Sequence, residues 1–348
     1  MERLPRVSII VIIYKVERFL DQCLKSIVSQ SYDDIEIICV VGKGDLECER
    51  ISRDYAKEDD RVVLLIEEPK GTAAARNSGL RAATGDYIAF VDGDDYIEPD
   101  MIEVMVGAAL RNDCDISITG RFYDYKNRID GYGVDEDREL LLKKDEAFEI
   151  ILYQRGFFLH IWDKLYRKSL FLDISFDEGK KVEDRIVVFE LLSKARGIVY
   201  NTAPKYHFRV SRDSGSRVED NLLNSLETDK IIAKGILKEY PKLSDAVEYF
   251  MVYETMSLIQ NSMLYGSFSG KHDKRELAYV RKHSFNIYKN KKVSRGVKLK
   301  TFLCSFFPFI LKAMTIKRRK AFLEEHEEFS TGADWQKTFK EQGIRNDI

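Results

Sequence analysis

Within the first 120 residues four short apolar runs alternate with helical patterns, and the fourth run stops at Asp92-Gly93-Asp94-Asp95. Residues 7–14 are a continuous β-branched run, as expected of a strand buried on both faces. Residues 17–30 carry Leu20, Leu24 and Ile27 at helical spacing, and strands are predicted over 35–41 and 61–66. An Ala-rich helix over 72–83 and a fourth strand over 86–91 follow, with Pro99 suited to the first turn of the next helix. This alternation predicts an α/β fold: a Rossmann-like, mostly parallel sheet with right-handed crossovers. Ligands of such sheets lie beyond the carboxyl ends of the strands. Three polar segments are expected to meet there, residues 14–17, 41–45 and 92–95.

Three carboxylates within four residues repel one another unless they are solvated, hydrogen-bonded or offset by a cation. Hard oxygen ligands suit Mn²⁺ or Mg²⁺, and such an ion suits a diphosphate, whose departing charge it stabilises. A solvated acidic turn is the alternative. The position of the cluster after a fourth parallel strand favours the metal. It also disfavours an aspartate-nucleophile phosphohydrolase, in which the acidic cluster follows the first strand.

The residues around this turn resemble the family 2 inverting glycosyltransferases of the bacterial exopolysaccharide and capsule type, which have the GT-A fold. The segments are VSIIVIIYKVERFLDQCLKSIVSQSYDDIEII (7–38) and GTAAARNSGLRAATGDYIAFVDGDDYIEPDMIE (71–103). Fainter similarity continues in WDKLYRKSLF (162–171), VEDRIVVFELL (182–192) and YHFRVSRDSGSR (206–217), so the resemblance covers about the first 215 residues. It implies a nucleotide-diphosphate sugar as donor, a UDP-sugar first among them, and a glycan or lipid-linked acceptor in surface polysaccharide biosynthesis. It also implies Tyr14 and Glu17 beside the donor base, Arg76 on the nucleotide, and Asp92 toward the ribose or diphosphate. Asp94 becomes the direct metal ligand with Asp92 beside it, Asp95 a support for the site, and Glu183-Asp184 the late acidic pair, with Asp184 as general base. An acidic first turn of a helix is the other reading of that pair. The sequence departs from the family at Ile12 and Lys15, where Pro and Asn are usual. It departs again at Val41-Gly42, in place of an aspartate pair that reads the base, with Asp45 a few residues on. That loss motivates a rival reading, an inactive module acting as a partner subunit.

Other candidates rest on residue type. Trp162 and Lys164 line the acceptor side, or Trp162 is a core residue. Arg209 and Arg212 clamp the diphosphate, or belong to an exposed basic loop. His207 is a metal ligand or a structural histidine.

From 140 to 210 the pattern loosens into α+β, and beyond Glu219 it is helical, with Val252, Met256, Ile259 and Met263 forming an apolar stripe. The expected division is a catalytic domain over 1–215, a helical extension over 216–288, a basic segment over 289–320 and a tail over 321–348. The basic segment holds eleven Lys or Arg and no Asp or Glu, against a net charge of −2 for the whole chain. A basic block on an acidic protein points to an anionic partner for that block, and not to nucleic acid. Within it residues 302–311 (FLCSFFPFIL) are too short to span a bilayer. Lys298, Thr301, Ser305 and Lys312 oppose Leu299, Phe302, Phe306 and Ile310, with Pro308 as a kink. That is the pattern of a membrane-surface helix; the alternative is a helix docked on the catalytic domain. No signal-peptide layout precedes Val7, and the five cysteines show no paired spacing. The expected location is the cytoplasmic face of the inner membrane.

Overall fold

The computed structural model describes residues 4–132, 137–179, 183–210, 219–264 and 271–326. The chain divides into two compact units: Met1–Asp124 with Ile129–Arg209, and Tyr125–Arg128 with Val210–Ile348.

The first unit opens with β1 (Val7–Ile13), α1 (Glu17–Val28), β2 (Ile35–Gly42), α2 (Leu46–Glu58), β3 (Val62–Glu67), α3 (Thr72–Ala82) and β4 (Tyr87–Asp92). These four strands are parallel, in the order β3-β2-β1-β4. The central strand β1 is apolar at nearly every position because both of its faces are covered. Leu20, Leu24 and Ile27 of α1 lie in the core beneath it, as their spacing predicts.

The unit continues with β5 (Tyr96–Ile97), α4 (Met101–Arg111), β6 (Ile116–Tyr125), β7 (Arg128–Tyr132), β8 (Glu139–Leu142), α5 (Lys144–Leu152), β9 (Lys164–Arg167), α6 (Glu183–Lys194) and β10 (Ile198–Arg209). The sheet extends past β4 in the order β9-β6-β10-β5. Here it becomes mixed: β9 runs antiparallel to both β4 and β6, while β6 and β10 are parallel. Wedging β9 beside β4 carries residues 160–164 to the same sheet edge as the acidic turn.

The second unit is helical: α7 (Glu219–Glu239), α8 (Ser244–Leu264), α9 (Lys271–Lys289), α10 (Arg295–Phe306) and α11 (Pro308–Glu325). The Val252, Met256, Ile259 and Met263 stripe of α8 is buried, with α7, α9 and α11 packed around that helix. The expected kink is a break, with Pro308 at the first turn of α11, where its missing N–H costs nothing. Among the described residues no helix is long and apolar enough to cross a membrane.

The face of α10 turned inward is the opposite of what a docked amphipathic helix shows. Thr301, Cys304 and Ser305 are buried, and Arg281 of α9 donates two hydrogen bonds, of 3.0 and 2.8 Å, to the Ser305 carbonyl. Leu299, Phe302, Phe306 and Phe307 are exposed, and Phe309 at the start of α11 is 78% exposed.

Candidate active site

The three segments expected to converge at the strand ends do so. The Gly93 N–H donates to the Ile12 carbonyl (3.0 Å), which ties the acidic turn to the end of β1. A side chain at Gly93 would begin 2.8 Å from that oxygen, so the approach requires glycine. Between the β1 and β2 loops, the Lys15 N–H donates to Asp45 Oδ2 at 2.5 Å. Lys15 sits in the left-handed region (φ 56°), a conformation Asn tolerates better than Lys. The bond from Asp45 helps to hold it there. Tyr14 is 49% exposed, and its ring lies so close over Gly42 that a Cβ there would meet the ring at 2.6 Å. The Val41-Gly42 departure therefore exchanges an acidic side chain for a glycine against which the Tyr14 ring packs.

Within the turn the carboxylates have different surroundings. Asp95 is buried, accepting from the Arg209 N–H (2.8 Å) and the Tyr206 hydroxyl (2.8 Å). Burial first, then the charges of Asp94 and Asp92, push its pKa well above the usual range. Asp94 is half-buried, and burial followed by repulsion from Asp92 raises its carboxyl to about 6. Asp92 meets Arg76 of α3, with Nη2 3.4 Å from Oδ1. The guanidinium groups of Arg76 and Arg209 thus meet a turn that carries three carboxyl groups.

A ladder of rings leads from this turn to the late acidic residue. The Tyr206 hydroxyl, besides bonding Asp95, accepts from the Asp92 N–H (3.2 Å), and its ring stacks on Trp162 at 4.6 Å. Trp162 stacks in turn on His160 at 4.9 Å and 4°. His160 Nδ1 lies 3.9 Å from Asp184 Oδ2, at the start of α6. Beneath the ladder, fully buried Asp163 is bonded by the Lys164 ammonium (2.6 Å) and paired with Arg121 (3.1 Å). Two buried cations against one anion leave a positive bias under this wall.

Several expected roles change. Trp162 is 5% exposed and stacked on His160, Tyr206 and Phe208, so it is part of the wall and offers no open sugar platform. Lys164 is buried, donating to the His160 carbonyl (2.7 Å) and Asp163, so it fixes the loop and does not line an acceptor cleft. Arg209 braces the acidic turn, donating to the Asp94 carbonyl and to Gln22 Oε1, and is no diphosphate clamp in this arrangement. Arg212 lies outside the described residues, as does the side chain of Glu183. His207 bonds Glu98 (2.7 Å) and is sandwiched between Tyr96 and Phe122, so it is structural rather than a metal ligand. Glu17 is exposed at the start of α1. Nothing in the sequence singles out His160, Arg121 or Gln22. Asp184 for His160, Asp163 for Arg121 and Arg209 for Gln22 are partners distant in sequence, which no local spacing announces.

The donor set fits a divalent ion shared with a ligand. Two carboxylates in tension, Asp92 and Asp94, suit an ion that takes one or two protein oxygens and completes its shell with phosphate and water. Among the described residues, the ligand atoms of three potential metal-binding side chains come together only at Glu17, Asp45 and Cys48. Burial pushes the Cys48 thiol up to about 12, which keeps it protonated and a poor ligand.

Residues 8–175 match the model of glycosyl transferase family 2. The chain is 30% identical over 252 residues to Streptococcus pneumoniae glycosyltransferase GlyG, covering 69% of this chain and 80% of that protein. With S. pneumoniae glycosyltransferase GlyA it shares 33% over 224 residues, 61% of this chain but only 32% of GlyA, so it spans about a third of that relative. In fold it is similar to residues 1–349 of Staphylococcus aureus TarS, solved with UDP-GlcNAc: TM-score 0.64, 17% identity, 91% of this chain and 92% of that one.

Proposed function

The chain belongs to glycosyltransferase family 2, and from that premise we propose that it is a metal-dependent inverting transferase. It moves a hexose or N-acetylhexosamine from a nucleotide-diphosphate sugar onto a glycan or lipid-linked acceptor in surface polysaccharide biosynthesis. The observation that carries this reading is the continuous wall from Asp95 through Tyr206, Trp162 and His160 to Asp184. It sets a half-buried acidic turn and a second carboxylate along one surface, as a single displacement requires.

Tyr14 offers its open face to the donor base, and Arg76 faces the diphosphate. Asp94 and Asp92 would hold a divalent ion, which would supply positive charge where negative charge develops on the leaving diphosphate. Asp184 accepts the proton of the acceptor hydroxyl as that oxygen bonds the anomeric carbon. The bond from the anomeric carbon to the diphosphate oxygen breaks on the opposite face, which inverts the configuration. His160, 3.9 Å from Asp184, gives that carboxylate a polar neighbour. Desolvation by the surrounding protein, and next the charges of Arg121, Lys164 and Arg185, lower the His160 pKa, so it stands neutral next to the base. UDP-sugars are the first donors to test, because the TarS fold accommodates one. With Gly42 under Tyr14 and Asp45 bonded to Lys15, stacking outweighs carboxylate contacts in holding the base.

The bare aromatic row of α10 and α11, beside eleven cations without a carboxylate between Lys289 and Lys320, supports attachment to an anionic membrane surface. A lipid-linked acceptor on the inner leaflet's cytoplasmic face is the natural companion of that attachment.

A thermal-shift series with nucleotide sugars, with and without Mn²⁺, tests the donor reading. A ligand that binds only the folded chain raises its melting temperature. Stabilisation that needs both sugar nucleotide and metal is expected; no shift with any nucleotide would favour an inactive partner module.

A further inference from the structure

Apart from the catalytic wall, the second unit carries a groove of about 840 Å³ between α8, α10 and α11. Leu299, Leu303 and Met314 make it largely apolar, and its charged groups include Lys300 from α10 and Arg318 from α11. The Lys300 ammonium lies 5.3 Å from the centre of the Tyr253 ring and has no hydrogen-bond partner among the described residues. Burial above all, with the charge of Arg318 adding to it, holds its pKa below the ordinary lysine value; Glu254 of α8 acts the other way. A cation held in an apolar groove against a second cation favours an anion between them, and Glu254 offsets only part of that demand, since the pKa stays lowered.

The shape of the groove narrows the choice of anion. A free phosphate would meet the cations and leave the apolar walls wet. A neutral apolar molecule would cover the walls and leave Lys300 unmet. Leu299 and Met314 are half exposed and continue the bare apolar row toward Phe302, so the groove opens onto the face assigned to the membrane.

We propose that this groove takes up one phosphate-bearing lipid, its headgroup between Lys300 and Arg318 and its chains along Leu299, Leu303 and Met314. The site deepens the membrane attachment proposed above and is independent of sugar transfer.

Isothermal titration of the full chain with dihexanoyl phosphatidic acid below its micelle concentration tests it, beside dihexanoyl phosphatidylcholine and inorganic phosphate. Saturable uptake of the phosphatidic acid alone is expected. Lys300→Met should weaken it about tenfold or more, the worth of a lost charge-assisted hydrogen bond. Gly296→Leu is the steric variant: Gly296 lines the groove, and a Cβ there meets nothing within 4 Å, so the fold is spared while the groove is filled. Lys312→Gln, outside the groove lining, should leave uptake unchanged. Equal binding of inorganic phosphate, equal binding of the phosphatidylcholine, or retention of uptake in both Lys300→Met and Gly296→Leu overturns the proposal. Co-sedimentation of the same proteins with phosphatidylglycerol vesicles separates the two readings. Vesicle binding without short-chain uptake sinks the groove and keeps the membrane; loss of vesicle binding by the unaltered chain sinks the attachment itself.

Discussion

Asp184 and Glu183 adjoin in sequence, yet the proposed chemistry asks one of them to accept a proton. Asp184→Asn keeps size and much of the hydrogen-bonding geometry while removing the proton acceptor. Donor and metal affinity should stay near those of the unaltered protein, and transfer should fall about 10²–10⁴-fold, the usual contribution of a positioned base. Glu183→Gln should be milder in the same steady-state assay. Normal transfer by Asp184→Asn with loss in Glu183→Gln would move the base to Glu183. Normal transfer by both would leave the pair structural. The role of His160 is visible only in three dimensions, because it depends on Trp162 being stacked and on α6 arriving from beyond β9. In sequence it is an isolated histidine two residues before a tryptophan.

At the scale of elements, legibility followed the length and purity of the apolar pattern. Strands β1, β2 and β4 are buried runs of six to eight residues, and they stand within about two residues of where the sequence places them. The four-residue β9 is too short for a period to appear, and its first residue, Lys164, is a buried cation that composition assigns to the surface. The antiparallel wedge, and with it the ring ladder, was therefore hidden. The rim of the same region offers a pH test. Buried Asp115 immediately precedes β6 and accepts from Arg167 Nε (2.7 Å), the Arg196 N–H (2.9 Å) and Arg196 Nη2 (2.9 Å). Burial alone would raise its pKa, but the bonds from Arg196 and Arg167 outweigh it and bring the carboxyl down to about 2. A lowered folded-state pKa gives stability that is present above the unfolded value and lost as pH falls toward the folded one. About 2 kcal/mol should disappear between roughly pH 4 and pH 2. Urea unfolding across that range should show a shallower pH slope for Asp115→Asn than for the unaltered chain; equal slopes would remove Asp115 from the account.

On the scale of the whole molecule, the first unit carries the proposed nucleotide-sugar site and the second a bare apolar and basic surface. Because Cys304 and Leu311 are buried, deleting α10 and α11 would uncover core, so the attachment is better tested by point changes on the exposed row. Phe306→Ser with Phe309→Ser should cost little stability and should lower co-sedimentation with anionic vesicles; unchanged sedimentation would contradict a surface role for these rings. High salt should weaken the binding of the unaltered chain as the cations are screened.

The central claim is that Asp94 helps to hold the metal through which a sugar nucleotide binds, and isothermal titration of UDP-sugars into the unaltered chain and Asp94→Ala, each with and without Mn²⁺, tests it most directly. The account predicts metal-dependent binding by the unaltered chain and its loss in a folded Asp94→Ala protein. Undiminished metal-dependent affinity in that variant would contradict it.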